Sequence, residues 1–235
     1  MLAAILTIGN EIVSGDVDNT NASWLAKRLE SLGVKVAILA AVPDEPERII
    51  EFVQREGPLV DHLLVTGGLG GTPDDITREA MAAAFEVPQE EIPELASDLR
   101  ARFTRAPEYA ARWAALPRGS RPLDNPLGGA PGFQIGNAWV LPGLPSEMRA
   151  MFDLYAPEMA AERPIGAWRR RLALRESTIA AALEEATGRW PSVSVGSYPS
   201  FHADGPEVEI VLKSADPDAL AEASAWLAEA LDTLR

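Results

Sequence analysis

With 235 residues, 47% of them hydrophobic and 24% charged, the chain has the make-up of a globular protein and is too apolar to be disordered. It contains no cysteine, which excludes disulfides, thiolate zinc sites and a cysteine nucleophile. A formal charge of −14, from 21 Lys and Arg against 35 Asp and Glu, repels phosphate backbones and argues against nucleic acid as a partner.

Leu2–Ile8 is an apolar run closed by Gly9 with no positive charge ahead of it, so it reads as a buried first strand and not as a signal peptide. No apolar run approaches the roughly 20 residues that span a bilayer, so no membrane partner is expected and the cytoplasm is the expected compartment. Asn21 is placed to cap a helix in which Trp24, Leu25, Leu29 and Leu32 recur at helical spacing, with Gly33 just past its end. Residues 34–42 read as a second strand, 44–56 as a helix ending at Gly57-Pro58, and His62–Thr66 as a short buried strand. That alternation predicts an α/β class with a mostly parallel sheet covered on both faces.

Residues 75–85 read as a helix, and so does an Ala- and Arg-rich stretch over about 93–116. Residues 117–131 form a Pro/Gly/Asn-rich loop, long enough to suggest a functional role. Residues 133–135 and Ala138–Leu141 read as a hairpin turning at Gly136-Asn137, followed by a helix over 145–161. The chain then changes character: a first domain over 1–165 gives way to a β-α-β-β-α order over 166–235, the pattern of a small α+β domain.

The chemistry concentrates in Thr66-Gly67-Gly68-Leu69-Gly70-Gly71-Thr72-Pro73-Asp74-Asp75-Ile76-Thr77, which leaves a buried strand and opens a helix. Its glycines permit positive φ and let amides approach an anion, and the helix start adds a favourable dipole, a design suited to phosphate. Neither a Lys-Ser/Thr pair nor G-x-G-x-x-G is present, so it is not a triphosphate P-loop or a dinucleotide fingerprint. A tight turn with Asp74 as a helix cap is the plainer reading of the same spacing. Asp74 and Asp75 would repel a bare phosphate, but with Mg²⁺ or another hard cation between them they become its ligands. Glu11 and Asp44 fall at the C-terminal ends of their strands, the edge where open α/β sheets bind ligands. Glu11, Asp44, Asp74 and Asp75 are therefore the expected metal ligands, although each alone reads as well as a cap or solvated charge. Asn125, in the long loop, and Ser146 with Glu147, at a helix start, are placed to close over a nucleotide; capping accounts equally for the latter two. His62 reads as a packing residue and His202 as exposed, and no serine has the sequence signature of a His partner.

Five motifs in order, Gly9-Asn10-Glu11, Asn19-Thr20-Asn21, 66–77, Asn125-Pro126 with Ala130-Pro131-Gly132-Phe133, and 141–148, resemble the N-terminal domain of competence/damage-inducible protein A, of the molybdopterin-binding superfamily. The resemblance covers roughly residues 1 to 165 and implies a three-layer α/β/α molybdopterin-binding-like fold. Asn10 stands where the family usually has Thr, and Gly71 where it has Pro. The implied activity is a hydrolase dependent on Mg²⁺, Mn²⁺ or Co²⁺ that splits ADP-ribose into AMP and ribose 5-phosphate; the similar domain of eukaryotic FAD synthase acts on FAD. Asn19, Asn21, Gly67, Gly68, Gly70, Gly71, Thr72, Thr77, Asn125, Gly143, Ser146 and Glu147 are then expected to hold a small nucleotide substrate. Asp44 and Asp75, which match aspartates of the molybdopterin adenylyltransferases, take the catalytic roles. The alternatives are a non-catalytic binder of molybdopterin or a nucleotide, and an adenylyltransferase of molybdenum-cofactor synthesis. The chain stops before the family's nicotinamide mononucleotide deamidase domain, so that activity is expected to be absent, and a homodimer or homotrimer is expected.

Overall fold

The computed structural model describes residues 1–202 and 205–234. The chain divides into two compact units, Met1–Ala161 and Glu162–Arg235, a few residues ahead of the boundary expected at 165. No helix among the described residues is long and apolar enough to cross a membrane.

In the first unit, β1 (Leu2–Ile8) leads through a short helix, α1 (Asn10–Val13), into α2 (Thr20–Ser31), β2 (Lys35–Val42), α3 (Pro46–Glu56) and β3 (His62–Thr66). After the glycine loop come α4 (Thr77–Ala84), β4 (Gln89–Glu91), α5 (Pro93–Arg102), α6 (Pro107–Ala111), β5 (Ala115–Pro117), β6 (Arg121–Leu123), the hairpin β7 (Gly132–Ile135) and β8 (Ala138–Leu141), and α7 (Pro145–Met159). The sheet runs β2-β1-β3-β8-β7-β6, parallel through β8 and antiparallel at the β7 and β6 edge. Parallel strands buried on both faces need apolar residues at successive positions, which β1 and β3 supply.

Alternate strand residues face opposite layers, so the sheet has two cores. Leu6, Ile8, Leu63 and Val65 meet Ile49, Phe52 and Val53 of α3 and Met81 of α4. Ile5, Leu64 and Trp139 meet Leu25 and Leu29 of α2 and Met148, Met151 and Phe152 of α7. The result is a three-layer α/β/α fold, and each fully buried leucine contributes about 1.5–3 kcal/mol of transfer free energy.

Three local expectations change. Asn19, and not Asn21, caps α2, its side chain accepting from the Ala22 amide at 3.2 Å. The stretch read as one helix to about 116 is two helices and a 3-10 turn, and β4 and β5 pair to close it into a small lobe. Its core is Ala96, Leu99, Ala110, Ala111, Trp113 and Ala114. The long loop also contains β6, a strand of three residues whose pairing with β7 is non-local and leaves little periodicity to read.

In the second unit, β9 (Gly166–Leu172), α8 (Glu176–Arg189), β10 (Ser194–His202), β11 (Gly205–Ser214) and α9 (Pro217–Asp232) form a small α+β unit. Its antiparallel sheet has the order β10-β11-β9. Ile179 of α8 and Leu227 and Leu231 of α9 bury against Leu172, Val208, Ile210 and Leu212.

Candidate ligand site

The C-terminal ends of β1, β2 and β3 open onto a cavity of about 260 Å³. β1 delivers Thr7, Gly9 and, through α1, Glu11; the start of α2 delivers Asn19 and Asn21; the chain after β2 delivers Asp44; and the glycine loop delivers Gly67, Gly68, Asp74 and Asp75. Gly143 and Pro145 close the side nearest α7.

The parts are tied tightly. Asn10 and Asp44 bond reciprocally, the Asn10 amide donating to Asp44 Oδ2 at 2.9 Å and the Asp44 amide to Asn10 Oδ1 at 3.4 Å. The Thr7 hydroxyl donates to Asn19 Oδ1 at 3.1 Å. Asn21, 7% exposed, donates to the Gly143 carbonyl at 2.7 Å and so joins α2 to the chain after β8. Gly67 has φ +110, and a Cβ there would lie 2.1 Å from the Ile8 carbonyl oxygen; Gly68 has φ +63 and would meet Thr77 Oγ1 at 2.3 Å. Backbone at these two positions therefore passes where no side chain fits.

The loop's amides are not all free for a ligand. Asp75 accepts from the Gly70 amide at 2.9 Å, from the Thr72 amide at 2.8 Å and from the Thr72 hydroxyl, so its carboxylate takes the position that an anion takes in such a nest. Asp75 is thus the staple of the loop as well as part of the cavity wall. From beneath, Thr77 Oγ1 donates to the Gly67 carbonyl at 2.8 Å. Arg78, 4% exposed, donates to the carbonyls of Leu69 at 2.8 Å and Gly70 at 2.6 Å.

Glu11, Asp18, Asp44, Asp74 and Asp75 all line the cavity, and among the described residues no Lys, Arg or His does. Burial pushes the Asp44 carboxyl above its usual range; the Asn10 amide opposes this, and the charges of Glu11, Asp74 and Asp75 add to it. Asp74, fully exposed, is held below its usual range by the Thr72 side chain and its own backbone. The expected four-carboxylate cation cage is nevertheless not built. Among the described residues no three Asp, Glu or His side chains stand close enough to hold one ion. Both oxygens of Asp75 point at loop amides, and one oxygen of Asp44 at the Asn10 amide. The donor set does fit the Mg²⁺ habit of binding one or two carboxylates plus a ligand's phosphates and water.

Gly70, Gly71, Thr72 and Thr77 lie outside the cavity lining and act on the loop itself. Asn125, Ser146 and Glu147 do not line it either. Asn125 donates to Glu147 Oε2 at 2.9 Å and to the Ala130 carbonyl at 3.0 Å, fastening the long loop to α7. No side chain caps α7, which removes the capping explanation for Ser146 and Glu147 as well. Thr7, Asp18 and Arg78 escaped the sequence reading. A sign of Arg78 was present, since it shares a helical face with the apolar Met81 and Ala82.

Residues 4–161 match the family described as "probable molybdopterin binding domain". The chain belongs to that family. Residues 170–234 are similar to the family described as "FAD synthase, middle domain". A CinA-like protein of Parasynechococcus marenigrum is 43% identical over 161 residues, which are 65% of this chain and 38% of that relative. The chain thus spans well under half the length of that CinA-like protein. A protein of Pyrobaculum calidifontis is 35% identical over 229 residues, covering 92% of this chain and 87% of the relative. The crystal structure of the protein CinA, of unknown function, from Thermoplasma acidophilum superimposes with a TM-score of 0.64 at 29% identity, over 67% of this chain and 97% of that one. The chain is accordingly a CinA-like member of the molybdopterin-binding family.

Proposed function

We propose that the cavity binds the phosphorylated part of a nucleotide together with a divalent cation, and that the chain hydrolyses the phosphoanhydride of ADP-ribose to AMP and ribose 5-phosphate. The observation that carries this reading is the pairing of glycine backbone at Gly67 and Gly68 with five carboxylates and, among the described residues, no basic side chain in one wall. Such a wall repels a bare phosphate and accepts one that arrives with its cation. Asp44 and Asp74 would hold the ion, because Asp75 is committed to the loop; when bound, it polarises the scissile phosphoanhydride. The chain's own residues do the rest. The amide of Gly68, which meets no acceptor among the described residues, donates to a phosphate oxygen. Asp44, in the same wall, also positions the attacking water.

A second reading, a non-catalytic binder of molybdopterin or a nucleotide, draws support from the family match and from the absence of a three-carboxylate cage among the described residues. AMP release from ADP-ribose, with Mg²⁺, Mn²⁺ or Co²⁺ added and with chelator, separates the two. Metal-dependent release supports the hydrolase. Tight binding without release under every metal transfers the site to the binder.

A further inference from the structure

We propose that the turn between β1 and α2 is the nucleoside subsite of the cavity: Ile12 and Val17 form a ledge for the flat face of a purine base, and Asp18 receives its exocyclic amino group. The inference rests on the reading that Gly67 and Gly68 hold a phosphate, and it names the half of the ligand that the cavity encloses. Cavities that enclose a whole drug-sized ligand measure about 300–1,000 Å³. At about 260 Å³ this one suits a single nucleotide, so the remainder of a dinucleotide extends beyond it.

The wall has two kinds of surface. The glycine backbone with Asp44, Asp74 and Asp75 supplies polar groups, whereas Ile12 and Val17 supply apolar ones. Those two side chains do not build the core: α1 has no buried residue, and Val17 is 51% exposed. A lone exposed valine is ordinary, but one that shares a cavity wall with a phosphate site is covered once a ligand enters. The turn is held in place before that happens. The Val17 amide donates to the Glu11 carbonyl at 3.0 Å, the Ser14 hydroxyl donates to Asp16 at 2.6 Å, and Asn10 is bonded to Asp44. A base needs an apolar surface for its face and polar partners for its edge. Asp18 follows Val17 in the same wall, and its carboxylate has no partner among the described residues. An ionised carboxylate only accepts, so it matches the amino group of adenine and repels the ring carbonyl of hypoxanthine.

The test is calorimetric titration of the full chain, with Mg²⁺ present, against AMP, its hypoxanthine counterpart IMP, and inorganic pyrophosphate. Wild type is expected to bind AMP at least about tenfold more tightly than IMP, the scale of one hydrogen bond to a charged acceptor. Val17→Ser and Ile12→Ala are each expected to weaken AMP about tenfold, as loss of apolar contact does, and to leave pyrophosphate affinity within about twofold. Asp18→Asn, which offers a donor as well as an acceptor, is expected to bring AMP and IMP together. AMP bound as tightly by folded Val17→Ser and Ile12→Ala as by wild type, or pyrophosphate weakened equally with AMP, overturns the nucleoside subsite, while pyrophosphate binding by wild type keeps the phosphate reading. Equal affinity of wild type for AMP and IMP overturns the role of Asp18. Failure of wild type to bind both AMP and pyrophosphate overturns the phosphate reading and this inference with it.

Discussion

Replacing Asp75 by Asn separates a helix cap from a loop staple. As a cap, Asp and Asn are nearly equivalent, and neither stability nor binding should change. In the structure, however, both carboxylate oxygens are used: one accepts from Gly70, the other from the amide and hydroxyl of Thr72. A side-chain amide has one acceptor oxygen, so whichever way the substituted side chain turns, its NH₂ faces a donor. If the oxygen keeps the Thr72 pair, the bond to Gly70 becomes a donor–donor contact. Hydrogen bonds to a charged acceptor contribute about 1.5–3 kcal/mol, and the partial exposure of this loop brings the expected loss to about 1–2 kcal/mol. For a unit of this size that is a fall in Tm of roughly 2–8 °C. Turnover of ADP-ribose should fall at least about a hundredfold, equivalent to roughly 3 kcal/mol in the barrier, because the misplaced loop carries the phosphate contacts. Calorimetric melting and AMP release measured on the same preparations check both. A variant that melts with wild type and turns over normally would refute the staple and the catalytic consequence together.

Gly67→Ala should be more damaging than a positive-φ glycine usually is, by several kcal/mol, because its Cβ would sit 2.1 Å from the Ile8 carbonyl in the sheet itself; a soluble variant with wild-type Tm contradicts this close approach. Asp44 has a raised pKa in the fold, so its contribution to stability is complete below the unfolded value of about 3.9 and is lost as pH rises through the folded value. Asp44→Asn should therefore raise Tm at neutral pH and abolish any Mg²⁺-induced rise; an equal Mg²⁺ response in the variant counts against a cation at Asp44. His62 is buried, its ring bonded to the Met159 backbone and its Nε2 without a partner among the described residues, and burial lowers its pKa. Its stabilising contribution is complete above the unfolded value of about 6.5 and is lost as pH falls through the folded value. His62→Gln should accordingly lose less Tm than wild type between about pH 7.5 and pH 5, and parallel melting curves would exclude the effect.

The sequence by itself determined the layers and the site's address. Apolar runs in β1 and β3 can only be buried on both faces, and the helical spacing of Leu25 and Leu29 supplies a face to cover them, so a parallel three-layer α/β fold follows from local patterns. The glycine loop after β3, with Asp44 after β2 and Glu11 after β1, falls on one sheet edge because parallel strands all end on the same side. What the side chains do at that edge was decided only in three dimensions. Asp74 and Asp75 are neighbours in sequence, yet one is exposed and the other fills the amide nest, because the turn at Thr72 directs them differently. Asn21 stops being a cap and becomes a strut to Gly143, 122 positions away. Asn125 and Glu147 spend their polar groups on each other. Arg78 acquires its part only when the loop folds back over α4. Periodicity records which face a residue occupies, whereas hydrogen-bond partners come from loop closure between distant segments, and no local pattern in the chain encodes that pairing.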